Sequence, residues 1–254
     1  MTQRSDIEPV SKGWRRLSYT CRCGWVDWGH ALPDGAKKLK MQMEAELADW
    51  PLLGQMKVFL EGVPAYIMAY GQRMGAGPIR VDTMRHWIVR KGLSLAQRQS
   101  VALAIFMQAS MDFEGLQGSF PFSIKTADSS YSLEDLVSNL IGFHAAFSAM
   151  SQTQLRQICG EVSVKESYRL WDEHLPNGLG GIRNRSYRPV LFPCSECATG
   201  STAFPGLFTS ISAEPAGALW VKLKDRFVDG RLINAHRAID VSRNGVVTAR
   251  EPGR

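Results

Sequence analysis

Residues 94–117 impose the first constraint on the fold. Ser94-Leu-Ala-Gln97 is a capping-box pattern, in which the hydroxyl and the later amide each satisfy the other residue's backbone donor. It predicts a helix over 95–117. From Ala102 to Phe113 that helix is apolar nearly all round, so no face is set aside for solvent. A helix of this kind is buried in the middle of a domain, with other elements packed about it. Its polar stripe is short: Glu114 falls one turn after Ser110 and one turn before Gln117. A carboxylate there is either exposed at the helix end or held for a purpose.

The segments around the helix supply its partners. Residues 14–31 read as extended structure broken by glycine, and 34–50 as a helix that Asp34 caps. "MKVFLEG" and "PAYIMAYGQ" are strands joined at Gly62–Val63, and 79–92 is a third strand. Ser132-Leu-Glu-Asp135 is a second cap pattern, opening a helix over 133–148. Ser151 begins another helix, and "VKESYRLWDEHL" is a fourth. After Leu175 the chain is rich in Gly, Pro, Ser and Asn, so loop with short strands is expected; "ALWVKLKDRFVDG" is strand or short helix. Strands, a long helix, more helices and an irregular C-terminal region make an α+β fold. The expectation is one domain over 14–240, with a small antiparallel sheet on the buried central helix. Residues 1–13 are expected to be flexible and 241–254 to be a polar tail.

Composition narrows the classes. The 254 residues are 44% hydrophobic and 21% charged, which is ordinary for a globular chain. The net charge of +6 favours acidic partners, but no run reaches the five to eight basic residues of a nucleic-acid tract. No stretch approaches the ~18 apolar residues that would span a membrane. The N-terminus has no apolar signal region, and five cysteines are an odd number. The expectation is a cytoplasmic protein with reduced thiols, acting on a small-molecule or peptide substrate, with neither nucleic acid nor membrane as partner.

The chemistry concentrates in "YTCRCGWVDWGHA", residues 19–31. A thiolate is the reactive form of cysteine; a nearby imidazole lowers the thiol pKa and takes its proton, and a carboxylate fixes the imidazole tautomer. Cys21 or Cys23, His30 and one acid would supply that set. On a straight strand Cys21 and His30 would lie roughly 30 Å apart, while Cys21, Cys23, Trp25 and Asp27 would share a face. A dyad therefore requires the chain to double back at Gly24 or Gly29. Otherwise the cysteines are small buried hydrophobes and His30 a satisfied core histidine. The metal alternative is a structural zinc on four thiols, Cys21-x-Cys23 and Cys194-x-x-Cys197. His86 and His144 sit among apolar neighbours and read as structural.

Four stretches, in order, resemble the bacterial proteins catalogued as domain of unknown function 4056. They are "YTCRCGWVDWGHA", "FEGLQGSF", "YSLEDLVSNLIG" and "WDEHLPNGLGGIRNRSYRPVLFP", together spanning about residues 19–193. The likeness falls on Cys21, Asp27, His30, Glu114, Glu134, Asp135, Ser138, Asn139 and Gly142. Cys23 stands where that family has glycine, and Phe113 where it tends to have histidine. The resemblance implies no assigned activity. It favours Cys21 over Cys23 and joins Asp27, His30 and Glu114 into one constellation.

The leading expectation is thus a thiol-dependent amidase, peptidase or acyl transferase. Cys21 would be the nucleophile and His30 the base, with Asp27 or Glu114 orienting the imidazole and Asn139 or backbone donors holding the oxyanion. Trp25, Trp28, Gln117 and Ser138 would contact substrate. No cofactor is expected, zinc being the alternative. Metal-assisted hydrolysis through Asp27, His30 and Glu114, which the loss of histidine at Phe113 disfavours, and a non-catalytic zinc-stapled binding module are the competing readings.

Overall fold

The computed structural model describes residues 2–10, 13–47, 57–76, 79–82, 84–117, 131–198, 202–223, 225–228, 231–234, 239–241 and 246–249. The fold is α+β, as the sequence predicts, with helices and small antiparallel sheets. The chain divides into two compact units, Met1–Lys37 with Glu114–Ser210, and Lys38–Phe113 with Ile211–Arg254.

The second unit is built on a sheet. Its antiparallel core runs β3 (Lys57–Leu60), β4 (Val63–Tyr70), β7 (Arg85–Arg90) and β8 (Trp220–Leu223). Glu61 and Gly62, both at positive φ, make the tight β3–β4 turn. Ala65, Ile67, Ile88 and Val221 form one apolar cluster with Val58, Leu60 and Leu223, alternate residues of each strand that the pleat turns to one face. β5 (Arg73–Ala76) and β6 (Ile79–Asp82) form a separate hairpin, so the single strand expected over 79–92 is two. β9 (Asp225–Val228) and β10 (Arg231–Asn234) form another. The polar tail expected over 241–254 is corrected too. β12 (Val246–Ala249) pairs in parallel with β3 and antiparallel with β11 (Ile239–Val241), because its β-branched run suits a strand despite polar flanks.

Two helices enter both units. α1 (Asp34–Ala45) is shorter than the expected 34–50, of which 48–50 lie outside the described residues. α2 (Leu95–Gln117) has the predicted bounds. The Ser94 N–H donates to Gln97 Oε1 at 3.1 Å, and the Gln97 N–H to Ser94 Oγ at 3.3 Å. Val101 to Phe106 are buried in sequence, the all-round burial its composition requires.

The first unit holds the residues that carry chemistry. β1 (Leu17–Thr20) and β2 (Gly24–Asp27) pair antiparallel, from Leu17 opposite Asp27 to Thr20 opposite Gly24, and every residue of both is buried. Leu17, Tyr19 and Trp25 pack with Leu133, Val162, Leu170, Trp171 and Leu179 from the rest of the unit. The turn is Cys21–Cys23, held by Thr20 Oγ1, which donates to the Gly24 carbonyl and accepts the Cys23 N–H. Gly24 has a φ of +65°, and a Cβ there would lie 2.5 Å from the Val190 carbonyl oxygen, so only glycine fits.

Three helices surround the hairpin. α3 (Asp135–Phe147) starts two residues later than expected, because both Ser132 donors are taken by the Asp135 carboxylate. α4 (Gln152–Cys159) opens on a Ser151 capping box and ends at Gly160, φ +72°; Ser163 caps α5 (Val164–His174). The N-terminal segment is also not loose. Thr2 Oγ1 donates to Asp27, Arg4 forms a fork with Asp172, and Ile7 is buried in the hairpin core. A single apolar anchor among polar neighbours is too weak a pattern to stand out in sequence. Among the described residues no helix is long and apolar enough to cross a membrane.

Candidate functional site

The chain does double back, but at Cys21–Cys23, and this decides which residues meet. The hairpin sends β2 back along β1, so Cys21 lies at its tip and His30 beyond its open end. The three steps from Gly24 to Asp27 alone separate those ends by about 10 Å. The predicted Cys21–His30 dyad is therefore not formed, nor do Cys21, Cys23, Trp25 and Asp27 share one strand face. Cys21 Sγ is bonded to Cys197 Sγ, with the two Cα atoms 5.4 Å apart. This corrects the expectation of reduced thiols throughout.

At the open end, His30 finds a different acid from the two expected. Its Nδ1 is 3.3 Å from Asp135 Oδ1; the imidazole is 45% exposed and the carboxylate side chain 5%. Asp135 is fixed in turn by the backbone N–H and hydroxyl of Ser132, at 2.9 and 2.6 Å. In the sequence Asp135 reads as part of a helix cap and as one of the residues of the family resemblance, with no catalytic role given to it. Its second carboxylate oxygen does the capping, leaving the first for the imidazole.

Asp27 is structural. It is fully buried, and its carboxylate accepts from Thr2 Oγ1 (2.7 Å), Arg16 Nη2 (3.1 Å), the Gly29 N–H (2.7 Å) and the His30 N–H (3.3 Å). It thereby folds the 27–31 turn and sets the His30 backbone. A Cβ on Gly29 would sit 2.9 Å from Asp27 Oδ1, so the glycine admits the carboxylate to the turn. The other wall is α3. Ser138 Oγ accepts the Asp27 N–H at 3.0 Å, tying helix to hairpin, and is itself fully buried. Gly142, one turn further, lets the helix approach the His30 and Leu32 carbonyls. Ser138 is thus an anchor, where the sequence reading made it a substrate contact.

The electrostatics follow from burying several acids together. Burial alone would lower the His30 pKa; hydrogen bonding to Asp135 and the charges of Asp27, Asp135 and Glu134 overcome it and raise it to about 9. Burial would raise Asp27, but His30, Thr2 and Arg16 together hold it below the ordinary carboxylate range. Glu114 is buried, and burial followed by the Asp135 charge pushes it up to about 8, against the opposing Tyr131 N–H bond and His30 charge. Glu134 is raised to about 8 for the same leading reasons. At neutral pH the group holds an ionised Asp27, an imidazolium and two protonated glutamates. Glu114 Oε2 accepts the Tyr131 N–H at 2.8 Å, and Tyr131 has a φ of +55°, a conformation costing about 1–3 kcal/mol away from glycine. Asn139 lies one turn after Asp135 on the same face of α3 and is buried.

The predicted aromatic contacts belong to the core. Trp25 is buried edge-on against Tyr19 and Trp171, both at 5.6 Å. Trp28 is buried with its indole N–H on Ser18 Oγ and the Arg156 guanidinium over its ring. Gln117 ends α2, and its side chain lies outside the described residues. His144 and His86, which read as structural in the sequence, are buried, and burial pushes both down to about 4, which keeps them neutral.

The thiols sort differently from the expected set of four. Among the described residues, the one group of three His, Cys, Asp or Glu ligand atoms all within 4.8 Å of one another is Cys21, Cys194 and Cys197. Cys23 is not with them; its Sγ lies 2.6 Å from Cys159 Sγ, both buried. Asp27, His30 and Glu114 do not converge as a metal set either: the first contributes both oxygens to hydrogen bonds. In comparisons with known proteins, no family model matches the chain, and no curated protein or solved structure matches it.

Proposed function

We propose that this protein is a hydrolase of amide or ester bonds that uses water as nucleophile, with His30 as proton donor and Glu114 as base. The observation that carries the reading is the His30–Asp135 pair, a partly open imidazole held against a buried carboxylate. Buried titratable groups pushed towards the working pH are the mark of acid–base chemistry. With a pKa of about 9, His30 is charged at pH 8 and able to protonate a departing amine or alkoxide; Asp135 steadies the imidazolium. With a pKa of about 8, Glu114 is partly ionised in the same range and able to take a proton from water. Each charge favours the other. Asn139 is the candidate donor to a developing oxyanion.

A bound Cys21 at the far end of the hairpin disfavours the thiol mechanism. The disulfide also favours an oxidising compartment over the cytoplasm. The test is a screen of chromogenic esters and peptide anilides, followed by a pH profile of kcat/KM. The reading expects a bell with flanks near 8 and 9, and loss of 10²-fold or more in His30→Asn and in Glu114→Gln. A hydrolysis unaffected by either substitution would refute it.

A further inference from the structure

The cysteine cluster at the hairpin tip is a separate matter and does not rest on the hydrolase reading. The loop carrying Cys194 and Cys197 is pinned at several points. Tyr19 Oη donates to the Phe192 carbonyl and accepts the Phe192 N–H; Glu166 Oε1 accepts the Ser195 N–H at 2.7 Å; Ser163 donates to Glu196. Cys21 is fixed from the other side by its own N–H on the Gly160 carbonyl. The fold thus holds three sulfurs together, whereas a disulfide needs two. The third, Cys194 Sγ, lies beside the Glu166 carboxylate and the backbone of Glu196 and Cys197.

We propose that the reduced protein binds one zinc ion through Cys21, Cys194 and Cys197, with solvent as fourth ligand. Zinc favours tetrahedral thiolate sites with bonds of about 2.3 Å, and sulfurs within 4.8 Å of one another need only small side-chain rotations to reach one ion. All three cysteines are partly exposed, which leaves the fourth position to water. The disulfide and the metal site exclude each other. A dithiol reductant cleaves the Cys21–Cys197 bond by supplying two electrons and two protons, becoming a disulfide itself. Zinc then displaces the three thiol protons into solvent. The charges facing the cluster are the Glu166 carboxylate, beside Cys194, and the Arg169 guanidinium paired with it.

The test uses the full chain, reduced with a dithiol on a solid support and titrated anaerobically with Co2+. The expected result is one equivalent bound, with a thiolate-to-cobalt charge-transfer band that Zn2+ abolishes. The band should fall at least tenfold in Cys194→Ser and persist in Cys23→Ala. A reduced parent without the band overturns the proposal, as does a band undiminished in Cys194→Ser or lost in Cys23→Ala. Should Cys194→Ser fail to fold, maleimide footprinting of the parent decides. Zinc must slow labelling of Cys21, Cys194 and Cys197 together, and equal labelling with and without zinc refutes the site.

Discussion

His30 Nδ1 and Asp135 Oδ1 meet at 3.3 Å across the junction of the 27–31 turn and the start of α3, 105 residues apart in the chain. Neither side chain could be held there by its own segment. The turn is folded by Asp27, the helix start by Ser132, and the two are joined through Ser138 and Gly142. Asp135→Asn keeps the shape and removes the charge. It is expected to cost 10–10³-fold in kcat while leaving far-UV circular dichroism unchanged, because a proton donor loses the charge that holds its proton.

Stability should fall as pH rises. His30 has a folded-state pKa above its ordinary value of 6.5, so its pairing stabilises fully below 6.5 and is lost as pH passes through about 9. Glu114 and Glu134 are carboxyls raised from 4.5 to about 8, so the folded state also binds their protons more tightly than the unfolded chain. That contribution has the same sign and declines from about pH 4.5 to 8. Thermal melts from pH 6.5 to 9 should show a falling Tm, and Glu114→Gln should flatten the slope and raise the Tm at pH 9. A Tm that climbs across this range contradicts the burial of these acids.

Gly142 sets the distance between α3 and the His30 turn. A Cβ there would lie 3.0 Å from the Leu32 carbonyl oxygen, 3.1 Å from that of His30 and 3.2 Å from the Ala31 carbonyl carbon, all backbone atoms that cannot rotate away. Gly142→Ala is expected to destabilise by about 1–3 kcal/mol, measured by urea unfolding, despite the better helix propensity of alanine. A neutral or stabilising effect would mean that the helix and turn are not in contact.

The Cys21–Cys197 bond closes a sequence separation of 176 residues. Cys197→Ser should lower unfolding stability by about 2–5 kcal/mol under oxidising conditions. Non-reduced parent protein should show no maleimide label on Cys21; rapid labelling without reductant would return Cys21 to the list of nucleophiles.

The helices were legible because their signals are local. Ser94 and Gln97 mark one start, Ser151 another, and the apolar run after Ala102 is a pattern within a single segment. The resemblance joined His30, Asp27 and Glu114 into one constellation; in the structure the His30 charge acts on Asp27 and on Glu114. What the sequence missed is long-range. A bend at 21–23 rather than at 24 or 29 moves Cys21 from the histidine's end of the hairpin to the other. Nothing between residues 19 and 31 reveals that Cys23 will face Cys159 or that Asp135 will outcompete Asp27 for the imidazole. Those choices are made by helices packing over a hundred residues downstream.

The most direct measurement is an NMR titration of the His30 ring in the intact protein and in Asp135→Asn. The account predicts a midpoint near 9 in the parent, falling towards 6.5 when the carboxylate is neutralised. A parent midpoint at or below 6.5, unmoved by the substitution, would contradict a proton held between His30 and Asp135.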